Sequence, residues 1–129
     1  MSEVLWRKSR TTARSARLLV GAAIADSNSA VSRAYFAMFD AARAALATAE
    51  PDLGQVKRHA TVIGRFGRYM VKDRGLDVRL GRELSLAFDL RTVADYEPVM
   101  TDLDEATELV GTAEACVDTV EQFVRQAKP

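Results

Sequence analysis

The sequence predicts an all-α protein that folds as an antiparallel up-and-down bundle of four to five helices. Apolar residues recur at spacings of three and four, alanine is abundant, and runs of β-branched residues are short. The breaks between the apolar segments are also short, which favours antiparallel neighbours. The predicted helices are Glu3–Asp26, Ser29–Ala49, Arg58–Arg74, Arg79–Tyr96 and Asp102–Ala127.

The first three helices are separated by residues that cap or interrupt a helix. The polar side chains from Asp26 to Ser29 can cap the second helix, and Pro51 and Gly54 bracket the break after it. The apolar side of the second helix predicts core positions at Val31, Tyr35, Met38, Phe39, Ala42 and Leu46. The third helix contributes Val62, Ile63, Phe66, Tyr69 and Met70.

The last two helices have similar boundaries. Gly75 follows the third helix, and glycine is common just after a helix end. Pro98 stops the fourth helix, and Thr101 with Asp104 forms an approximate capping box for the fifth. The predicted core positions are Leu80, Leu84, Ala87, Phe88 and Arg91, then Leu109, Ala113, Cys116, Val120 and Phe123. Four glycines inside helices predict close helix approach, as at a dimer seam: Gly21, Gly64, Gly67 and Gly111.

Size and composition exclude several classes of protein. The length of 129 residues fits one domain, residues 1–129, with a single core. Cys116 lies among small apolar residues and is interpreted as buried. No glycine-rich phosphate loop and no metal-ligand spacing occurs, so no cofactor or metal is predicted. No signal peptide is recognised, and the apolar run Leu18–Ala25 is too short to span a bilayer, which predicts a cytoplasmic protein.

The formal net charge of zero conceals an uneven distribution. Residues 1–91 contain 16 Lys and Arg against 9 Asp and Glu, a net charge of +7. Residues 92–129 contain 2 against 9, a net charge of −7. Such a chain can present a basic surface to a polyanion. It can equally join its two halves, or two subunits, by charge complementarity, and the sequence leaves both readings open.

Two predicted helices carry basic residues along one side. At about 100° per residue, one narrow stripe forms on the first helix; its members are Arg7, Arg10, Arg14 and Arg17. The third helix repeats the pattern with Arg58, Arg65, Arg68 and Lys72. Guanidinium groups suit phosphate oxygens, so the four arginines of the first stripe, with Arg65 and Arg68, are candidate RNA contacts. The alternative is a solvated face that pairs with the acidic last helix.

His59 is the only histidine and begins the third predicted helix. One interpretation makes it a capping residue or a residue at the edge of the core. The other makes it a general acid–base, because histidine is the side chain that titrates near neutral pH without perturbation.

A second candidate group lies at the end of the fourth helix. Arg91 and Asp95 are four residues apart, a spacing that forms a pair on a helix surface. Tyr96 lies about 140° around an ideal helix from Arg91. The two are therefore expected to meet only if the helix end unwinds or if a second subunit supplies another copy. These residues form either a site or an ordinary ion pair with an anchoring tyrosine.

Three blocks of this sequence resemble the HEPN family of small prokaryotic helical-bundle proteins. They are the run from Ser32 to Leu46, the run from Lys57 to Phe66, and the run from Leu90 to Tyr96 before an acidic helix. The resemblance covers most of the chain. It implies an antiparallel bundle that forms homodimers. It also implies genetic pairing with a small nucleotidyltransferase of the MNT type, often as a toxin–antitoxin couple.

The resemblance further implies a metal-independent ribonuclease. In many relatives an arginine is followed, four to six residues on, by a histidine, and two such pairs meet at the dimer interface. Arg91 occupies the arginine position here, but Tyr96 stands where the histidine is expected. A phenol with a pKa near 10 is a poor general base at pH 7. His59 could replace the histidine only if folding brings it to Arg91, and Tyr96 is also the candidate for modification by the nucleotidyltransferase.

The sequence thus predicts a protein that binds RNA or a nucleotide, with Arg91, Asp95, Tyr96 and His59 as candidate catalytic residues. Endoribonuclease activity is the sharpest hypothesis. The alternative is a non-catalytic module for partner binding or dimerisation, in which Arg91 and Asp95 form a structural pair. A purely structural protein is a third reading.

Overall fold

The computed structural model describes residues 2–22 and 25–126 and shows an all-α helical bundle, as the sequence predicts. The α-helices are α1 (Ser2–Gly21), α2 (Ser27–Ala49), α3 (His59–Arg65), α4 (Val78–Tyr96) and α5 (Leu103–Gln126). A short 3₁₀-helix, Pro51–Gln55, connects α2 to α3, and a π-helical segment, Phe66–Lys72, extends α3.

Helix α2 is the centre of the bundle and packs against all four other α-helices. It is apolar around nearly its whole circumference, as expected of a helix that is buried on all sides. The six core positions predicted for this helix are all buried. Its many buried alanines leave room for α1 and α5, which make its most extensive contacts. Within residues 2–22 and 25–126, no helix is long and apolar enough to cross a membrane.

Helices α1 and α5 run antiparallel and are joined by ion pairs. Arg10 lies 2.6 Å from Glu121, and Arg17 lies 2.5 Å from Glu114. Arg125 contacts Glu121 as well and also reaches Glu3 at the start of α1. Two of the four arginines of the basic stripe, Arg10 and Arg17, therefore join the acidic last helix, as the charge-complementarity reading expects. Exposed pairs of this kind contribute about 0.2–1 kcal/mol each, so their arrangement fixes helix order more than total stability.

The boundary between α1 and α2 differs from the sequence prediction. Helix α1 ends at Gly21, and the predicted end at Asp26 is wrong because Asp26 caps the following helix. Its side chain accepts a hydrogen bond of 3.0 Å from the backbone N–H of Ser29. Helix α2 therefore starts two residues earlier than predicted, at Ser27. Residues 23 and 24 of the predicted first helix lie outside the described residues.

The remaining boundaries show smaller corrections. At the start of α5, Asp102 accepts the hydrogen bond from Glu105, so the predicted capping box at Thr101 is wrong. Ala127, the predicted end of this helix, lies outside the described residues. The predicted third helix is α-helical only over His59–Arg65, after which the wider π-helix begins. Gly75, with a φ of 82°, follows the end of this helical segment, as the sequence predicted.

The helical glycines do not mark close helix approach within this chain. Residues 21, 64, 67 and 111 have open space where a Cβ would lie, since no heavy atom outside the local helix lies within 4 Å. The interpretation that they allow helices of the chain to approach closely is therefore wrong.

We predict that Leu46→Ala lowers the free energy of unfolding by about 2–5 kcal/mol, because Leu46 is completely buried on α2 and its loss leaves a cavity. The matched control is Leu18→Ala on α1, where the residue is 74% exposed and the change should stay within about 0.5 kcal/mol. Urea unfolding followed by circular dichroism measures both. Equal losses in the two variants would contradict the central position of α2.

Candidate functional site

His59 lies in a cluster of aromatic side chains between α2 and α4. Its ring stacks on Phe39 with the centroids 4.5 Å apart and on Phe88 with the centroids 5.5 Å apart. Phe36 meets the ring edge-on at 5.8 Å. The aromatic cluster, defined as Tyr35, Phe36, Phe39, His59 and Phe88, thus combines α2, the first residue of α3 and α4. A partly buried imidazole is held here in one orientation.

The imidazole is also hydrogen-bonded. Nδ1 of His59 lies 2.5 Å from the hydroxyl oxygen of Tyr35, which is completely buried. Burial raises the pKa of the Tyr35 phenol above its ordinary value, although the positive charge of Arg91 opposes the shift. The phenol therefore keeps its proton at neutral pH. With Nδ1 occupied, Nε2 is the ring nitrogen left for an external group.

Burial lowers the pKa of His59 from its ordinary value of 6.5, and the charge of Arg91 lowers it further. His59 is therefore neutral at pH 7. Because the folded-state pKa lies below the unfolded one, unfolding takes up a proton as the pH falls. This residue consequently reduces the stability of the fold below a pH of about 6.5 and leaves it unchanged at higher pH.

Arg91 lies next to the same aromatic cluster. Its guanidinium carbon is 5.1 Å from the centroid of Phe36, which is also a neighbour of His59. Its Nε lies 2.7 Å from a carboxylate oxygen of Asp95, but the N–H is not aimed at that oxygen and has no hydrogen-bond partner. Folding therefore brings Arg91 and His59 to the same aromatic cluster. This proximity is the condition under which His59 could replace the histidine that is expected at the position of Tyr96.

Tyr96 also reaches Arg91, with 5.7 Å between its ring centroid and the guanidinium carbon. Helix α4 stays intact through Tyr96, so the expectation that the two would meet only through unwinding or a second subunit is wrong. The long side chain of Arg91 spans the angular separation. The ring of Tyr96 is 71% exposed, which leaves its hydroxyl open to solvent or a partner.

An open groove of about 580 Å³ borders this group, and sequence reasoning missed most of its lining. It is formed by Asn28, Ser29, Ser32, Arg33, Phe36, Ala94 and Asp95. Arg33 is exposed and adds a second cation to the lining of the groove that includes Asp95. Ser32 and Arg33 are adjacent polar residues in a helix that is otherwise rich in buried alanine. This pattern could have predicted that α2 forms one side of the groove. Tyr35 was also missed, because it was interpreted only as a core residue.

The candidate RNA contacts fall into two groups. Arg10 and Arg17 are engaged by the acidic side chains of α5, whereas Arg7 and Arg14 are exposed and have no acidic partner among the described residues. A phosphate contact at Arg10 or Arg17 would have to replace an ion pair. Outside this stripe, Arg68 is exposed and stacks on Tyr69 at 5.5 Å.

The segment that follows His59 carries cations without acidic partners. Arg65 is partly buried, and no described carboxylate lies within ion-pairing distance of Arg65, Arg68 or Lys72. His59 begins this helical segment, so it runs directly from the aromatic cluster. Over residues 2–22 and 25–126, no three His, Cys, Asp or Glu side chains are grouped to hold a metal ion.

The sequence matches the HEPN domain family over residues 2–123. A protein of Methanocaldococcus jannaschii named "Putative toxin MJ0605" is 34% identical over 97 residues, which cover 75% of this chain and 70% of that protein. "Putative toxin MJ0142" of the same organism is 34% identical over 79 residues, or 61% of this chain and 52% of that protein. The chain belongs to the HEPN domain family.

We predict that Arg91→Gln raises the pKa of His59, because it removes the positive charge that disfavours the imidazolium ion. Since His59 is the only histidine, an NMR titration of its ring protons gives this pKa without ambiguity. Arg82→Gln, at an exposed arginine of the same helix that does not shift His59, is the matched control. An equal pKa in wild type and Arg91→Gln would show that the two groups are not coupled.

Proposed function

We propose that this HEPN protein is a toxin that cleaves RNA without a metal ion and works in the cytoplasm beside a nucleotidyltransferase of the MNT type. The observation that carries the proposal is the meeting of Arg91 and His59 around Phe36. Membership of the HEPN family and similarity to two proteins named as putative toxins support it.

Arg91 and His59 suit the chemistry of RNA cleavage without a metal ion. RNA cleavage without metal needs a cation at the phosphate and a group that transfers protons. Arg91 is the cation, because a guanidinium suits phosphate oxygens and this one lies next to the aromatic cluster that holds His59. His59 is the proton-transfer group. Asp95 holds the guanidinium, and the exposed Tyr96 either stacks on a base or accepts a group from the nucleotidyltransferase.

An exposed apolar surface on α4 and the following loop supports a homodimer. Leu86 and Val93 are seven residues apart on α4, and Tyr96 and Met100 follow them along the chain; all four are exposed. Large exposed apolar patches are characteristic of interaction sites. Because Arg91 belongs to the same helix, a second copy on this surface would bring two sites close together.

The RNA path that we propose follows the helical segment after His59. Arg65 and Arg68 lead away from the aromatic cluster and have no acidic partners among the described residues. The exposed Arg7 and Arg14 on α1 are separate candidate phosphate contacts. Arg10 and Arg17 are the weakest candidates, because α5 already neutralises them. Contacts of this type recognise the phosphate backbone and carry no base preference.

A groove between α4 and α5 favours the second candidate function, a non-catalytic partner-binding module. Its floor is apolar and its rim acidic; the lining is Val31, Glu83, Leu86, Leu90, Thr101, Glu105, Glu108, Leu109 and Thr112. Such a groove suits a partner segment that carries both apolar and basic side chains. In that function, Arg91 and Asp95 form a structural pair.

We predict that wild-type protein cleaves RNA in EDTA and that Arg91→Ala and His59→Gln each lose about 100-fold or more of this activity. Cleavage of labelled tRNA and mRNA, resolved on denaturing gels, measures it. Arg82→Ala, on the exposed side of α4, is the control and should cleave like wild type. Intact RNA with well-folded wild type would reject the nuclease and leave partner binding as the function.

We predict that Arg65→Gln/Arg68→Gln weakens RNA binding and reduces the slope of log affinity against log salt by about 1.4, as expected for two lost single-strand phosphate contacts. Fluorescence anisotropy with a labelled single-stranded RNA at several salt concentrations measures both quantities. Arg10→Gln/Arg17→Gln removes the same charge from α1 and should leave the slope unchanged. If only the α1 double variant lost affinity, the proposed RNA path would be wrong.

A further inference from the structure

The groove between the start of α2 and the end of α4, called the α2–α4 groove below, is continuous with the candidate site. Phe36 and Asp95 line it, and both also contact Arg91. The Phe36 centroid lies 5.1 Å from the guanidinium carbon, and a carboxylate oxygen of Asp95 lies 2.7 Å from Nε. The volume of about 580 Å³ is typical of ligand pockets, which measure about 300–1,000 Å³.

The side chains of this groove suit a nucleotide. Helix α2 contributes the hydroxyl of Ser32, the guanidinium of Arg33 and the ring of Phe36. Arg33 is exposed and forms no ion pair with a described carboxylate. A guanidinium binds phosphate oxygens, and an aromatic ring is a surface on which a base can stack. From α4, the carboxylate of Asp95 can accept hydrogen bonds from base N–H groups.

The beginning of α2 does not itself supply an anion site. Asp26 caps this end with its carboxylate, which opposes the approach of a phosphate. The side chain of Asn28 is engaged by the connection between α4 and α5. It accepts a hydrogen bond of 2.8 Å from the N–H of Thr101 and donates one of 3.0 Å to the carbonyl oxygen of Val99. The cation that can hold an anion in the groove is therefore Arg33.

The groove and the α3 segment lie at opposite ends of α4. Side chains of the α3 segment share a second groove with residues 78–85 of α4, whereas the α2–α4 groove is lined by Ala94 and Asp95. Arg91 lies between these two parts of the helix. An RNA strand that follows Arg65 and Arg68 to a phosphate at Arg91 would therefore continue into the α2–α4 groove.

From this arrangement we infer that the α2–α4 groove binds the nucleotide next to the cleaved phosphate of a single-stranded RNA. Arg33 holds the phosphate of that nucleotide, and its base lies against Phe36. The inference rests on the proposed function, which assigns the cleaved phosphate to Arg91. Arg33 is a binding residue in this role and does not touch the reacting atoms.

The deciding experiment measures binding without cleavage. Fluorescence anisotropy of the full chain in EDTA uses a labelled single-stranded RNA that is 2′-O-methylated, because a methylated 2′-oxygen cannot attack phosphorus. Arg33→Gln should weaken binding about tenfold, since a hydrogen-bonded charge pair is lost. It should also reduce the slope of log affinity against log salt by about 0.7, as expected for one single-strand phosphate contact. Wild-type affinity and slope in Arg33→Gln would overturn the inference.

The matched control is Arg82→Gln, which removes the same charge from an exposed arginine outside the α2–α4 groove. It should bind the methylated RNA like wild type. Equal losses in the two variants would show a general effect of charge and would overturn the assignment to Arg33. Circular dichroism establishes that both variants fold.

Two further measurements identify the ligand. Adenosine 5′-monophosphate fills only the groove and should displace the methylated RNA only at far higher concentration than unlabelled RNA does. If the mononucleotide competed as well as the RNA and required Arg33, the groove would hold a free nucleotide and the inference would be wrong. NMR of the saturated RNA complex should show NOEs between base protons and the Phe36 ring, and their absence would overturn the position of the base.

Cleavage kinetics separate the groove from the reacting centre. Arg33→Gln should raise KM about tenfold with little change in kcat, because its contact is the same in the ground state and the transition state. An unchanged KM in an active nuclease would overturn the inference and leave the proposed function intact. If wild type did not cleave RNA but bound the methylated RNA through Arg33, the nuclease would be rejected and the groove would stand as an RNA-binding site.

Discussion

The fold depends on the burial of α2 on nearly all of its sides. A helix that is apolar around most of its circumference must be enclosed, and α1, α4, α5 and the α3 segment supply that enclosure. Different residues of α2 contact different neighbouring helices. Buried alanines along the helix allow close approach of α1 and α5, whereas Tyr35, Phe36 and Phe39 form a wider aromatic surface for α3 and α4. The candidate site lies on that second surface, so core packing and site geometry have a common origin.

The charged residues of α5 and of the α3 segment have different surroundings. Carboxylates of α5 form ion pairs with Arg10 and Arg17 and so align α5 with α1. The basic residues of the α3 segment are not neutralised in this way, although they lie in the same positively charged half of the sequence. A net charge of zero is therefore compatible with a local surface that attracts polyanions. The reading of internal charge complementarity applies to α1 and α5, and the polyanion reading stays a prediction for the α3 segment.

Within the site, the aromatic cluster controls the two polar groups that it contacts. It removes water from His59 and so favours the neutral imidazole, and it provides a π face on which Arg91 lies. The proximity of the Arg91 charge acts in the same direction on His59. Two groups that would repel if both were charged are thus held together with one neutral at pH 7. A negatively charged phosphate between them would ease protonation of the imidazole, so the proposed binding of RNA would be coupled to the charge state of the site.

The sequence by itself determined the helical class, the start of every α-helix to within two residues, and the core of α2, because these follow from apolar periodicity and from capping residues such as Asp26. It also identified Arg91, Asp95 and the HEPN resemblance from local patterns. It could not determine that His59 lies beside Arg91, since 31 intervening residues separate them and only the packing of α3 and α4 on α2 closes that distance. The buried hydroxyl of Tyr35, the π-helical segment and the pairing of Arg10 with Glu121 were likewise decided by tertiary structure, because each depends on which helix faces which.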